Sequence, residues 1–126
     1  MRKIYLLATL LISSFTAFPQ NKIDIPDNAN IFIIASSTQL AQYAGEQLES
    51  LHHWHIVNDK SKSDYTIKFN LFHTGLTHWT GNADIYKGSD IVTTTKSVSN
   101  SFGIFYGGGI AEYQKHIISK LIEKRF

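Results

Sequence analysis

The segment from Asp64 to Val98 constrains the fold most strongly, because apolar and polar residues alternate along it with a period of two. Such alternation predicts strands with one face against a core and the other in water. A third segment, residues 91–98, is rich in Thr and Val, which favour half-buried strands. The core-facing positions of the first two strands are predicted to be Tyr65, Ile67, Phe69 and Leu71, and Trp79, Gly81, Ala83 and Ile85.

Side-chain size predicts the register of the first hairpin, because a slip of one residue would turn Asn82 and Asp84 toward the core. The dipeptide Gly88-Ser89 is typical of a type II′ turn and predicts the register of the second hairpin. The expected pairs are Leu71 with Gly81, Phe69 with Ala83 and Ile67 with Ile85, then Lys87 with Asp90, Ile85 with Val92, Ala83 with Thr94 and Trp79 with Val98.

Two helices and two further strands are predicted around this segment. The apolar run from Ile31 to Ala35 indicates an interior strand covered on both faces, and residues 54–58 indicate a short strand. Ser36 is the expected N-cap of a helix, with Gln39 completing a capping box. The core-facing positions of the helices follow at spacings of three and four: Leu40, Tyr43, Ala44, Gln47, Leu48 and Leu51, and later Ile110, Tyr113 or Gln114, Ile117, Ile118, Leu121 and Ile122.

The order of these elements, β-α-β-β-β-β-α, predicts an α+β fold of two layers. We expect a mixed, mainly antiparallel sheet of about five strands with both helices on one face.

Residues 1–20 are interpreted as a signal peptide, and residues 21–126 as a single small α/β domain. Arg2 and Lys3 precede an apolar run that is too short for a membrane span of about 20 residues. We therefore predict an exported protein, periplasmic or secreted. The sequence contains no cysteine, which excludes disulfides, and on the same ground we predict that the protein is not a lipoprotein.

Charge argues against two classes of partner. The chain has 12 Lys and Arg against 10 Asp and Glu, and removing Arg2 and Lys3 leaves equal numbers. A neutral domain without a basic stripe is a poor candidate for binding nucleic acid or anionic membranes. We expect no nucleic-acid partner, no stable membrane span after signal removal, and an envelope or secreted protein as the possible partner.

Candidate chemical groups are few. The six histidines lack convergent carboxylate or thiol partners, so we predict no metal site and no cofactor. Asp84 is the single acid in mid-strand. A position on a solvated polar face explains this residue more simply than a catalytic role does. Residues 107–109 are three glycines that we interpret as a flexible joint. The predicted binding residues are Phe102, Phe105 and Tyr106, which lie among glycines, although burial beneath the last helix is an alternative.

The element order, with Ser63-Asp64-Tyr65 opening the antiparallel strands, resembles a group of small bacterial envelope modules. These include the amino-terminal domain of the Tol translocation protein and the curli-secretion lipoprotein domain, and residues 48–71 carry the resemblance. It implies a part used in assembly and interaction, with no enzyme activity, and it transfers no functional residue.

Three functions follow as hypotheses. The first is an exported, non-enzymatic envelope protein that binds or scaffolds a partner. The second is a small secreted hydrolase or carbohydrate-handling enzyme using Asp84 and a histidine. The third is a secreted inhibitor or immunity-type protein that blocks a partner through one face.

Overall fold

The alternating segments form long strands, as the sequence predicts. The computed structural model describes residues 22–75, 78–100 and 109–126. Within these residues the elements are β1 (Asn30–Ile34), α1 (Thr38–Glu49), β2 (His55–Ile56), β3 (Tyr65–Thr74), β4 (His78–Lys87), β5 (Asp90–Thr94), β6 (Val98–Ser99) and α2 (Ile110–Arg125). The predicted α+β class is confirmed.

The strands form one mixed sheet in the order β2-β1-β3-β4-β5, and β6 pairs with β4 beyond the end of β5. The pairs of β1 with β2 and with β3 are parallel, and the other pairs are antiparallel. Both helices pack on the same face, where α1 contacts β1 and β2, α2 contacts β3, β4 and β6, and the helices contact each other. No helix in the described part of the chain is both long and apolar enough to cross a bilayer.

The predicted register of the first hairpin is confirmed at all three pairs: Leu71 with Gly81, Phe69 with Ala83, and Ile67 with Ile85. The Gly88-Ser89 turn is also confirmed, since Gly88 has φ +65° and Lys87 pairs with Asp90. The β3–β4 ladder is the longest pairing in the sheet. On its helix-covered side, small residues lie opposite large ones.

The predicted register of the second hairpin is wrong beyond the turn. Tyr86 pairs with Ile91, but Ile85 pairs with Thr93 and Asp84 with Thr94, so that Val92 is an extra residue in a β-bulge. The register advances once more before β6, where Gly81 pairs with Val98. Because Thr and Val fit either face of a strand, alternation in this segment carries no signal of such a shift.

β1 is an interior strand, as predicted, but helices cover it on one face only. Its residues alternate between half-buried and buried, with Ile31 and Ile33 on the helix side. The expectation of a strand covered on both faces is wrong because Phe32 and Ile34 lie on the face opposite the helices, where each is half-buried.

The helix boundaries differ slightly from prediction. Ser37, not Ser36, is the N-cap of α1, and its hydroxyl accepts a hydrogen bond from the Leu40 amide at 3.2 Å. The core-facing stripe of α2 is confirmed at Tyr113, Ile117, Ile118, Leu121 and Ile122. Ile110 is 57% exposed, so the prediction that it faces the core is wrong.

Gly81 is a point of close approach between the sheet and α2. A Cβ at this position would lie 2.5 Å from Ile117 Cγ2 and 3.0 Å from Leu71 Cδ2. Gly45 in α1 also faces the sheet, but a Cβ there would meet Ile56 Cγ2 at 3.4 Å, an ordinary contact. The two glycines therefore differ in how much side chain their surroundings accept.

Replacing each glycine with alanine tests this difference. Gly81→Ala should lower the free energy of unfolding by about 1–3 kcal/mol, because the added methyl overpacks the joint with Ile117. Gly45→Ala should be neutral or stabilising by up to about 1 kcal/mol, because alanine favours the helix interior. Urea unfolding measures both, and equal effects of the two variants would contradict this packing.

The half-buried His116 in α2 makes stability depend on pH. Burial, and secondly the positive charge of Lys120, lower the pKa of His116 below its ordinary value of 6.5. The unfolded chain therefore takes up the proton first as pH falls. The contribution of His116 to stability is complete above about pH 6.5 and is lost as pH falls toward the folded-state pKa.

We expect His116→Gln to flatten the decrease in unfolding free energy between about pH 7 and pH 5. Urea titrations at several pH values measure this slope. Gln39→Ala, at an exposed position in α1 without a titratable group, serves as the control and should leave the slope unchanged. An identical slope in wild type and His116→Gln would refute the assignment.

Candidate binding surfaces

The sheet face opposite the helices, here called the open face, carries a row of side chains that crosses four strands. Each residue of the row pairs with the next one on the neighbouring strand: Phe32 on β1, Thr66 on β3, Tyr86 on β4 and Ile91 on β5. Thr66 is only 4% exposed although no described helix covers it, and its neighbours Phe32 and Tyr86 are the large side chains on either side. Ile91 and, toward the other end of β3, Phe72 are 55% and 57% exposed.

The centre of the open face is polar and internally hydrogen-bonded. Asn70 donates through Nδ2 to Asp84 Oδ2 at 2.9 Å and to Asn82 Oδ1 at 3.0 Å. The Thr94 hydroxyl donates to Asp84 Oδ1 at 2.7 Å. Both carboxylate oxygens of Asp84 thus accept hydrogen bonds from neighbouring strands. Asp84 therefore links β4 to β3 and to β5.

A second surface is formed where β1 extends beyond β2. The last main-chain bond between them runs from the Val57 amide to the Ile31 carbonyl at 2.9 Å. The Ala29 and Ile31 carbonyls face β2, whereas the Asn30 carbonyl accepts from Asp64 on the β3 side. Alternation along the strand therefore directs the amide and carbonyl of Ile33 to the β2 side, where no described residue pairs with them.

An open groove of about 700 Å³ lies between this edge of β1 and helix α1, here called the edge groove. Its lining combines apolar residues, mainly from β1 and β2 with Ala41 from α1, and polar residues in similar proportion. Its rim on α1 is polar and acidic, with Gln42, Glu46 and Glu49, and no described lysine or arginine lines it. The groove thus has an apolar side along β1 and negative charge along α1.

The histidines do not assemble into a site in the described part of the chain. His53 Nδ1 lies 3.7 Å from Asp27 Oδ1 at an exposed position. His73 pairs with Trp79 as predicted, with ring centroids 4.7 Å apart. His78 begins β4 opposite Thr74. Among residues 22–75, 78–100 and 109–126, no three His, Asp or Glu side chains lie close enough together to hold a metal ion.

The predicted binding residues Phe102, Phe105 and Tyr106 lie outside the described residues, as do the first two glycines of 107–109. Their role stays a prediction. The signal peptide of residues 1–20 stays a prediction for the same reason.

Sequence reasoning missed the edge groove. The strand at 54–58 was expected to be five residues long, whereas β2 has two. The groove exists because β2, the strand that pairs with β1, is shorter than expected. The polar loop that begins at Asn58 was the available signal that β2 ends early.

Comparison with known proteins shows the fold. Uncharacterized lipoprotein B from Nitrosomonas europaea is 10% identical, with a TM-score of 0.51 over 83% of this chain and 84% of its own. A Xanthomonas campestris protein of family DUF330 is 11% identical, with a TM-score of 0.51 over 84% and 82%. TolB from Acinetobacter baumannii is 10% identical, with a TM-score of 0.47 over 78% of this chain and 28% of TolB.

The expected resemblance to small bacterial envelope modules is confirmed at the level of the fold. At identities of 10–11% the similarity extends to the fold alone. No family model and no curated protein matches the chain.

One prediction is contradicted by this comparison. We expected that the protein is not a lipoprotein, but a protein named as a lipoprotein shares the fold over most of the chain. The exclusion was drawn from the absence of cysteine, whereas the comparison concerns the fold. The fold is therefore compatible with lipoproteins, and the exclusion is withdrawn.

The hydrogen bonds of Asp84 predict a structural role that can be measured. Asp84→Ala should lower the free energy of unfolding by about 1 kcal/mol, because it removes the acceptor shared by Asn70 and Thr94. Asp90→Ala, at an exposed position at the start of β5, should stay within about 0.5 kcal/mol of wild type. An Asp84→Ala variant as stable as wild type would show that these bonds do not support the sheet.

Proposed function

We propose that the protein is an exported, non-enzymatic module of the bacterial envelope that binds a partner protein. The observation that carries this proposal is the open face. It combines exposed apolar side chains at Phe72 and Ile91 with a polar centre whose hydrogen bonds are made within the sheet. Aromatic and aliphatic groups on an accessible, pre-formed surface are suited to protein recognition.

The hydrolase hypothesis gains no comparable support. Asp84 is held by Asn70 and Thr94, and it does not line the edge groove or the groove between α1 and α2. A catalytic acid needs a cleft in which substrate meets it. The sharing of this fold with a lipoprotein supports placement in the envelope.

Site-specific photo-cross-linking in living cells tests this function. A photoreactive phenylalanine analogue at Phe72 should give a discrete adduct with an envelope protein. The same analogue at Glu123, exposed on α2, should not. A third probe at Phe105 tests the predicted aromatic loop in the same way.

Fractionation of the same cells tests export, and the protein should be recovered with the envelope or periplasm. Retention in the cytoplasm would contradict the proposal. So would identical adducts from Phe72 and Glu123, because contact would then be independent of the face presented.

A further inference from the structure

We infer that the edge groove binds an extended peptide segment of a partner protein, which adds to the sheet beside β1 and directs a lysine or arginine toward Glu46 and Glu49. This inference rests on the proposed function, because it names the kind of partner segment and the place where it binds.

The main chain of β1 supplies the first reason. The amide and carbonyl of Ile33 point to the side where β2 has ended, and the described residues offer no main-chain partner there. An added strand would satisfy both groups and continue the ladder that Val57 leaves at Ile31. Main-chain pairing of this kind provides affinity that does not depend on the sequence of the peptide.

The groove walls supply the second reason. An added strand alternates its side chains between two sides, and the groove offers apolar contacts on each, although the α1 side is otherwise polar. Ala41 leaves space toward α1, and Phe32 and Ile34 flank the other side. The stretch of β1 beyond the Val57 bond, from Phe32 to Ala35, is roughly 10 Å long, which accommodates about three residues of a strand.

Charge supplies the third reason and specifies the occupant. Glu46 and Glu49 lie on the rim, both exposed, and none of the described basic residues lines the groove. A segment with a cationic side chain near the β2 end would meet complementary charge, and an acidic segment would be repelled. The expected ligand is therefore an extended, apolar segment with a basic residue at one end.

The opposite edge of the sheet is less suited to the same use. β5 carries the bulge at Val92, and its register shifts again before β6. Bulges disturb the regular spacing of amides and carbonyls that a further strand would need. β1 is regular through Ile34, with four consecutive pairs to β3.

A synthetic peptide tests the inference directly. The probe is a capped, fluorescein-labelled peptide Lys-Val-Thr-Val-Thr-Val-Lys, measured by fluorescence anisotropy with the full chain. Two further peptides carry N-methyl groups on one or the other alternate set of amides. Since only every second amide of an added strand faces β1, one methylated set should abolish binding and the other should retain it.

Binding should also slow hydrogen exchange of the Ile33 amide, measured by NMR. Exchange of an amide that is already bonded on the far side of the sheet, such as the Ala83 amide, which donates to Thr95 Oγ1, is the internal control and should change little.

A double charge-reversal variant of the protein tests the role of Glu46 and Glu49. Glu46→Lys combined with Glu49→Lys should weaken binding of the lysine-ended peptide by about tenfold. It should also strengthen binding of a peptide ending in glutamate. Glu123→Lys on α2 is the matched control and should change neither affinity. Thermal unfolding of each variant confirms that the fold is retained.

Several results would overturn the inference: equal binding of both methylated peptides, unchanged exchange at Ile33, or charge reversal without effect on a folded variant. Protection of Ile33 that rises with protein concentration in the absence of peptide would assign the groove to a second copy of this chain instead. The adduct at Phe72 reports on the proposed function separately, so either proposal can fail while the other stands.

Discussion

The rest of the structure depends on the close packing of α2 against β4 at Gly81. Ile117 occupies the space that a side chain at Gly81 would fill, and Leu71 packs from the neighbouring strand. This contact requires the register that places Leu71 opposite Gly81. With α2 seated there and α1 beside it, both helices lie on one side. The open face is the direct consequence of that one-sided arrangement.

Much of this arrangement is readable from residue size and period. The β3–β4 register follows from large residues facing small ones, and the stripe of α2 follows from its spacing. The β4–β5 register is not readable, because Val92 and the following threonines are equally suited to either face of a strand. The start of α1 is ambiguous for a similar local reason, since Ser36 and Ser37 are both good caps and only backbone geometry selects Ser37.

The two binding surfaces differ in how far the sequence predicts them. The polar residues of the open face were expected from alternation, although the bulge places Thr94, not Thr93, opposite Asp84. The edge groove arises from the difference in length between β1 and β2, a tertiary property with no periodic signal. The fold itself is shared with a lipoprotein at 10% identity. In the proposal made above, selection of a partner therefore depends on side chains particular to this chain, such as Glu46 and Glu49.

The bulged outer strand has a consequence for behaviour at high concentration. When both edge strands of a sheet are regular and unpaired, copies of the protein can pair edge to edge through their main-chain amides and carbonyls. Such pairing has no natural end and produces a long ribbon. In this molecule the edge formed by β5 is irregular at Val92, and the edge at β1 lies in a groove beside α1. Because the two edges differ in this way, growth of such a ribbon is disfavoured.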